Sequence, residues 1–178
     1  MKKVLIITYY WPPAGGSGVQ RWLKFTKYLP KYDWKPIVYT PGNPYFEVKD
    51  EALCKDIPIE AEIWKTPVWE PYALKDKLFG KEGKSQSAGV ISNNKSLKNR
   101  LLNWVRGNFF IPDPKLYWVK PSIKVLLKKI KEEGIEHIIT TGPPHSMHLI
   151  GLGLKKLLPN LKWIADFRDP WSKLDLLD

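Results

Sequence analysis

Three short stretches hold most of the residues whose type and spacing suit ligand chemistry: WPPAGGSG (11–18), GPPHSMH (142–148) and DFRDPW (166–171). In the first, Gly15, Gly16 and Gly18 would let backbone N–H groups approach a phosphate closely. A helix starting there would add its positive end. The same glycines also suit a tight turn that needs positive φ. The pattern is neither G-x-G-x-x-G nor a Walker loop, because Gly18 is followed by Val19 and no G-K-[ST] stands in this loop. In the second stretch, His145 and His148 are three apart and share a face at a helix start. Either could act as acid, base or hydroxyl-binding group near neutrality, and His148 equally fits a packed or capping histidine. No carboxylate or cysteine stands at metal-ligand spacing beside them. Ser146 and His145 lack the strained elbow of a nucleophile pair. In the third stretch, alternation points Asp166 and Arg168 one way and Phe167 the other. Charges closing an apolar strand need partners. Two readings stand: an internal Arg–Asp pair that fixes the loop, or Arg168 gripping a phosphate or sugar hydroxyl with Asp166 or Asp169 turned toward it.

The elements between these stretches say how they are positioned. VLIITY (4–9) is a continuous β-branched run, as in a strand covered on both faces. VQRWLKFTKYL (19–29) carries Val19, Trp22, Leu23 and Leu29 on one helical stripe. PIVYT (36–40), AEIWKT (61–66), HIITT (137–141) and KWIADF (162–167) read as further strands. Ser122 caps a helix over 123–133 that closes at Gly134. MHLIGLGLKKLL (147–158) is an apolar helix, weakened by Gly151 and Gly153 unless close packing wants them. The order is β-α-β-β-insertion-α-β-α-β: an α/β, Rossmann-like, doubly wound and mostly parallel sheet with helices on both faces. Ligands of such sheets bind beyond the carboxyl ends of the strands, where all three stretches arrive.

The 178 residues suit one domain, and 43% apolar content supports a core. Segment 80–96 reads as a mobile loop and 97–133 as a basic, aromatic and partly helical insertion. The chain stops soon after its last motif, which suggests a truncation. A lone Cys54 excludes an internal disulfide. The opening apolar run is too short for a signal peptide and no stretch is long enough to span a bilayer, so a soluble cytoplasmic protein is expected. The net charge of +11 is concentrated: 95–132 holds ten Lys/Arg against two acids, interleaved with aromatics. That span suits a solvated helix face or an anionic partner such as the inner membrane surface.

The combination of VLIITYYWPPAGGSGVQR, TTGPPHSMHLIGL and WIADFRDPW resembles bacterial family-4 glycosyltransferases. These are GT-B enzymes of capsule, O-antigen and exopolysaccharide assembly. The resemblance implies the N-terminal, acceptor-side half of a two-domain retaining enzyme. In it Gly15 and Gly16, with Gly18 behind them, would reach toward the donor diphosphate. The nucleotide-sugar would be held by a second domain, absent from this sequence, typically through a Glu-x7-Glu motif. The implied partners are a nucleotide-sugar and a glycan or polyprenyl-linked acceptor, with no cofactor or metal required. Asp166, Arg168 and Asp169 match the motif as cleft residues; His145 and His148 lie near, without clean alignment to the family histidine.

Two rivals belong to other classes. A dinucleotide-binding enzyme would want G-x-G-x-x-G and an acid ending the second strand, where Thr40-Pro41-Gly42 stands. A nucleic-acid module would draw on the basic pI and nine tryptophans, but no binding motif is present.

Overall fold

The computed structural model describes residues 1–44, 46, 48–68 and 113–168. The expected loop at 80–96, most of the basic insertion, Asp169 and the chain end lie outside the described residues. Five strands form a single sheet: β1 (Lys2–Ile7), β2 (Trp34–Pro41), β3 (Glu62–Thr66), β4 (His137–Gly142) and β5 (Lys162–Phe167). Their spatial order is β3-β2-β1-β4-β5, and every pairing is parallel. Among the described residues, three α-helices flank it: α1 (Ser17–Tyr28), α2 (Val119–Glu133) and α3 (Ser146–Leu157). This is the doubly wound, Rossmann-like arrangement read from the strand and helix periodicity.

Alternation along the strands sorts the core into two layers. Ile6 and Val38 face α1, where they pack with Trp11, Trp22 and Leu23. Leu5, Ile7, Ile37, Tyr39 and Ile138 face the other way and form one cluster with Leu126, Ile130, Met147, Ile150 and Leu154 of α2 and α3. The central strand β1 is fully enclosed: Leu5, Ile6 and Ile7 are each 0% exposed. That is why it reads as an unbroken apolar run rather than an alternating one.

Three sequence readings are corrected. β1 ends at Ile7 rather than Tyr9, although Thr8 N–H still donates to the Tyr39 carbonyl at 3.0 Å. Beyond it, Tyr9 packs edge-on against Trp118 and Phe46. α2 begins at Val119, so Ser122 is no cap. Pro121 falls in the first turn, where a missing N–H costs nothing. Ser122 is buried, and its hydroxyl accepts from the Tyr39 hydroxyl at 2.9 Å. α3 starts at Ser146, one residue earlier than its apolar pattern. Gly134 closes α2 with φ 62, as expected.

The two glycines of α3 meet a packing need. A Cβ at Gly151 would press on the Trp163 indole and the Thr140 methyl, and one at Gly153 would overlap the Ile123 side chain. Their absence lets α3 lie close on β4, β5 and α2. Among the described residues, no helix is long and apolar enough to cross a membrane.

Candidate functional site

In the order β3-β2-β1-β4-β5 the chain runs outward from β1 on one side and from β4 on the other. The crevice at such a reversal, at the carboxyl ends of β1 and β4, is where open parallel sheets hold ligands. The Gly loop leaves β1 there, the Pro-Pro-His corner leaves β4, and Arg168 follows β5.

Arg168 joins all three. Its Nε donates to the Gly142 carbonyl at 2.7 Å and its Nη2 to the Pro143 carbonyl at 3.1 Å. Its guanidinium also lies against Gly18, where a Cβ would overlap Nη1. A five-donor planar fork suits such a junction, since it can hold two carbonyls at once. Asp166 lies on the same side of β5, as alternation requires. Its carboxylate accepts from Arg21 Nη2 at 3.0 Å, Trp22 Nε1 at 2.8 Å and Thr141 Oγ1 at 3.0 Å. Three donors from α1 and β4 fill it, which makes it a strut tying β5 to both. The internal ion pair therefore exists, but Asp166 makes it with Arg21 of α1. Asp169 lies outside the described residues.

The Gly loop divides its work. Gly15 N–H donates to the Val48 carbonyl at 2.9 Å, Asp50 N–H donates to the Pro13 carbonyl at 2.8 Å, and Ala14 bridges Lys49. The Gly15 amide expected to face a diphosphate is thus already bonded to the chain. Gly16 has φ 109, a conformation that excludes most side chains, and serves as N-cap of α1 without any side-chain cap. The turn reading and the open helix end hold together. Gly18 gives its space to Arg168.

His145 and His148 share a face, with ring centroids 6.1 Å apart. Both are buried, at 8% and 6% exposure. The Phe167 ring covers His148 at 4.0 Å. Thr140 Oγ1 accepts from Trp163 Nε1 at 2.9 Å and lies 2.8 Å from His148 Nδ1. A hydroxyl gives one proton and accepts two, so this contact is compatible with either neutral tautomer, and Nε2 is the ring nitrogen left outside it. That Nε2 is buried, has no hydrogen-bond partner among the described residues, and faces Gly142, where a Cβ would come within 2.9 Å. Burial pushes the imidazole down to about 4, helped by His145 and opposed by Asp166 and Asp113. At neutral pH His148 is an uncharged imidazole, not a cation.

Asp113 was missed. Its carboxylate accepts from Ser146 N–H and Ser146 Oγ, both at 2.7 Å, and from Lys115 N–H at 2.8 Å. It caps two elements at once, because α3 receives no cap from its own N-cap residue His145. The pair Asp113-Pro114 is an N-cap followed by proline at the first helical position, a start signal present in the sequence. Its reach to Ser146 has no local signal. A surface hollow of about 400 Å³ lies at the opposite rim between Lys2, Trp34, Glu133 and His137, away from these loops.

No protein-family model matches the chain, and no curated protein matches it.

Proposed function

We propose that the chain is the acceptor-side domain of a retaining glycosyltransferase. In this reading it moves a sugar from a nucleotide-sugar to a glycan or lipid-linked acceptor at the cytoplasmic membrane face, in cell-surface polysaccharide synthesis. The observation that carries the reading is the seat of Arg168. From the end of β5 it bonds both carbonyls that open the Pro-Pro-His corner and packs on the Gly loop, so three unusual segments border one crevice.

The chemistry follows from that placement. A sugar–diphosphate bond breaks with positive charge growing on the sugar and negative charge on the departing phosphate. Catalysis lies in stabilising that phosphate and aiming the acceptor hydroxyl at the same face. The uncapped start of α1 and the Arg168 guanidinium give the rim positive potential for the phosphate side. His148 Nε2, on a neutral ring and without a partner among the described residues, offers a hydrogen-bonding group to a sugar hydroxyl. Asp166 and Asp113 position these groups. The donor nucleotide would be gripped by a second domain, and no metal or cofactor is needed for this chemistry.

The test is calorimetry and turnover with the 178 residues. The reading expects weak nucleotide-sugar binding, no steady turnover of UDP- or GDP-sugars, and no tight NAD binding. Steady turnover by these residues alone contradicts the two-domain reading. Tight NAD binding favours the rival, a nucleotide-binding Rossmann module without glycosyl transfer.

A further inference from the structure

We infer that the outer side of α1, with the turn that follows it, is a docking surface for an anionic lipid membrane. Residues 17–32 include Arg21, Lys24, Lys27 and Lys31 and contain no acidic residue. The inner side of α1 is complete: Val19, Trp22, Leu23 and Thr26 are buried against the sheet. Yet Phe25, Tyr28 and Tyr32 stand 49%, 48% and 75% exposed. Phe25 and Tyr28 are one turn apart on α1, and Tyr32 ends the short 3-10 turn Leu29–Tyr32 that follows it. These rings are surplus to the core.

Their neighbours are cations. The Arg21 guanidinium lies 5.7 Å from the Phe25 ring centre, and the Lys31 ammonium 5.1 Å from that of Tyr28. Arg21 and Lys24 are paired with Asp166 and Asp56, but Lys27 and Lys31 have no carboxylate partner among the described residues. Leu29, next after Tyr28, opens an apolar groove of about 280 Å³ shared with Val4, Trp34, Ile139 and Ile164, with Lys162 on its rim. Ile164 is 63% exposed. Aromatic rings and an apolar groove, both rimmed by lysines, match the boundary between anionic headgroups and acyl chains. Nucleic acid fits less well. Bases stack on open ring faces, whereas two of these rings already have cations beside them.

Membrane contact was expected on 95–132. In its described part, Lys128 pairs with Glu132, and Lys129 lies 4.2 Å from the Trp64 ring centre. Lys120, Lys124 and Lys131 are exposed there as well, so what sets α1 and its following turn apart is the set of exposed rings and the apolar groove beside their lysines. This inference deepens the membrane-face part of the proposed function, and vesicle binding reports on it separately from sugar transfer.

Sedimentation with vesicles of phosphatidylcholine and phosphatidylglycerol in a three-to-one ratio tests it on the whole chain. Binding should weaken with salt and vanish on pure phosphatidylcholine. Lys27→Gln with Lys31→Gln should weaken it roughly thirtyfold. Lys128→Gln with Lys131→Gln, the same change in net charge on α2, should weaken it less than about threefold by the same rule. Phe25→Ser, Tyr28→Ser and Tyr32→Ser together should weaken it at least about tenfold. Tyr32→Ser alone serves if the triple variant melts early. The inference is overturned by any of four results: no binding, equal binding to neutral vesicles, equal loss from both lysine pairs, or indifference to the aromatic changes. A DNA gel shift that depends on Lys27 and Lys31 without vesicle binding would give the face to nucleic acid instead.

Discussion

The guanidinium of Arg168 occupies the space that a side chain at Gly18 would need. One residue follows β5 and the other opens α1, 150 positions apart in the sequence. Because Arg168 also holds the carbonyls of Gly142 and Pro143, this contact closes a ring of three loops around the carboxyl end of the sheet.

Gly18→Ala should therefore destabilise the protein by about 1–3 kcal/mol, since the methyl group displaces Arg168. In an Arg168→Ala background the sign should reverse. With the guanidinium gone, alanine in a helix is better than glycine by up to about 1 kcal/mol. Denaturant unfolding of the four proteins measures it. Additive effects would mean that the two residues do not share the space.

Asp166→Ala should cost about 1–3 kcal/mol, because it strands the partly buried donors Trp22 Nε1 and Thr141 Oγ1. The pair with Arg21 contributes less, since the Arg21 side chain is 46% exposed. Asp166→Asn, which keeps one acceptor oxygen, should recover part of the loss. Thermal melts of the two variants distinguish a strut from a bystander.

Stability should fall as the solution is acidified through His148. Its folded pKa of about 4 lies below the ordinary 6.5, so between those values the unfolded chain binds more protons. The contribution is complete above about pH 6.5 and is lost progressively toward pH 4, on the order of 3 kcal/mol in all. His148→Gln should flatten that stretch of the stability curve, and urea titrations from pH 4 to 7 report it. An unchanged slope would mean that the imidazole is not shielded as described.

Asp113→Ala should loosen the start of α3 by about 1–2 kcal/mol, the ordinary cost of losing an N-cap. Amide exchange should quicken at Ser146 and Met147 while α1 stays protected. Uniform quickening would show instead that Asp113 acts on global stability.

The sheet was legible because strands such as Val4–Ile7 are buried on both faces and so carry an unbroken apolar signature. The common rim was legible from where Gly, Pro, His and Arg cluster relative to those strands. Pairings between distant residues were not. Nothing local tells that Asp166 takes Arg21 as its partner, that Gly15 gives its amide to Val48, or that Asp113 caps a helix 33 residues later. Each depends on which loop the fold brings alongside. Ser122 misled for the opposite reason: its type is right for a cap, but Pro121 fits the first turn and the helix starts earlier.

The central claim, a single ligand crevice bordered by the three loops, is most directly tested by mapping backbone amide shifts while UDP-glucose or pyrophosphate is titrated into the isotope-labelled chain. The account expects changes concentrated at Gly16–Arg21, at Gly142–His148 and at Arg168, and lost in Arg168→Ala. Shifts gathered instead around Trp34 and His137 at the opposite rim, or surviving unchanged in Arg168→Ala, would contradict it.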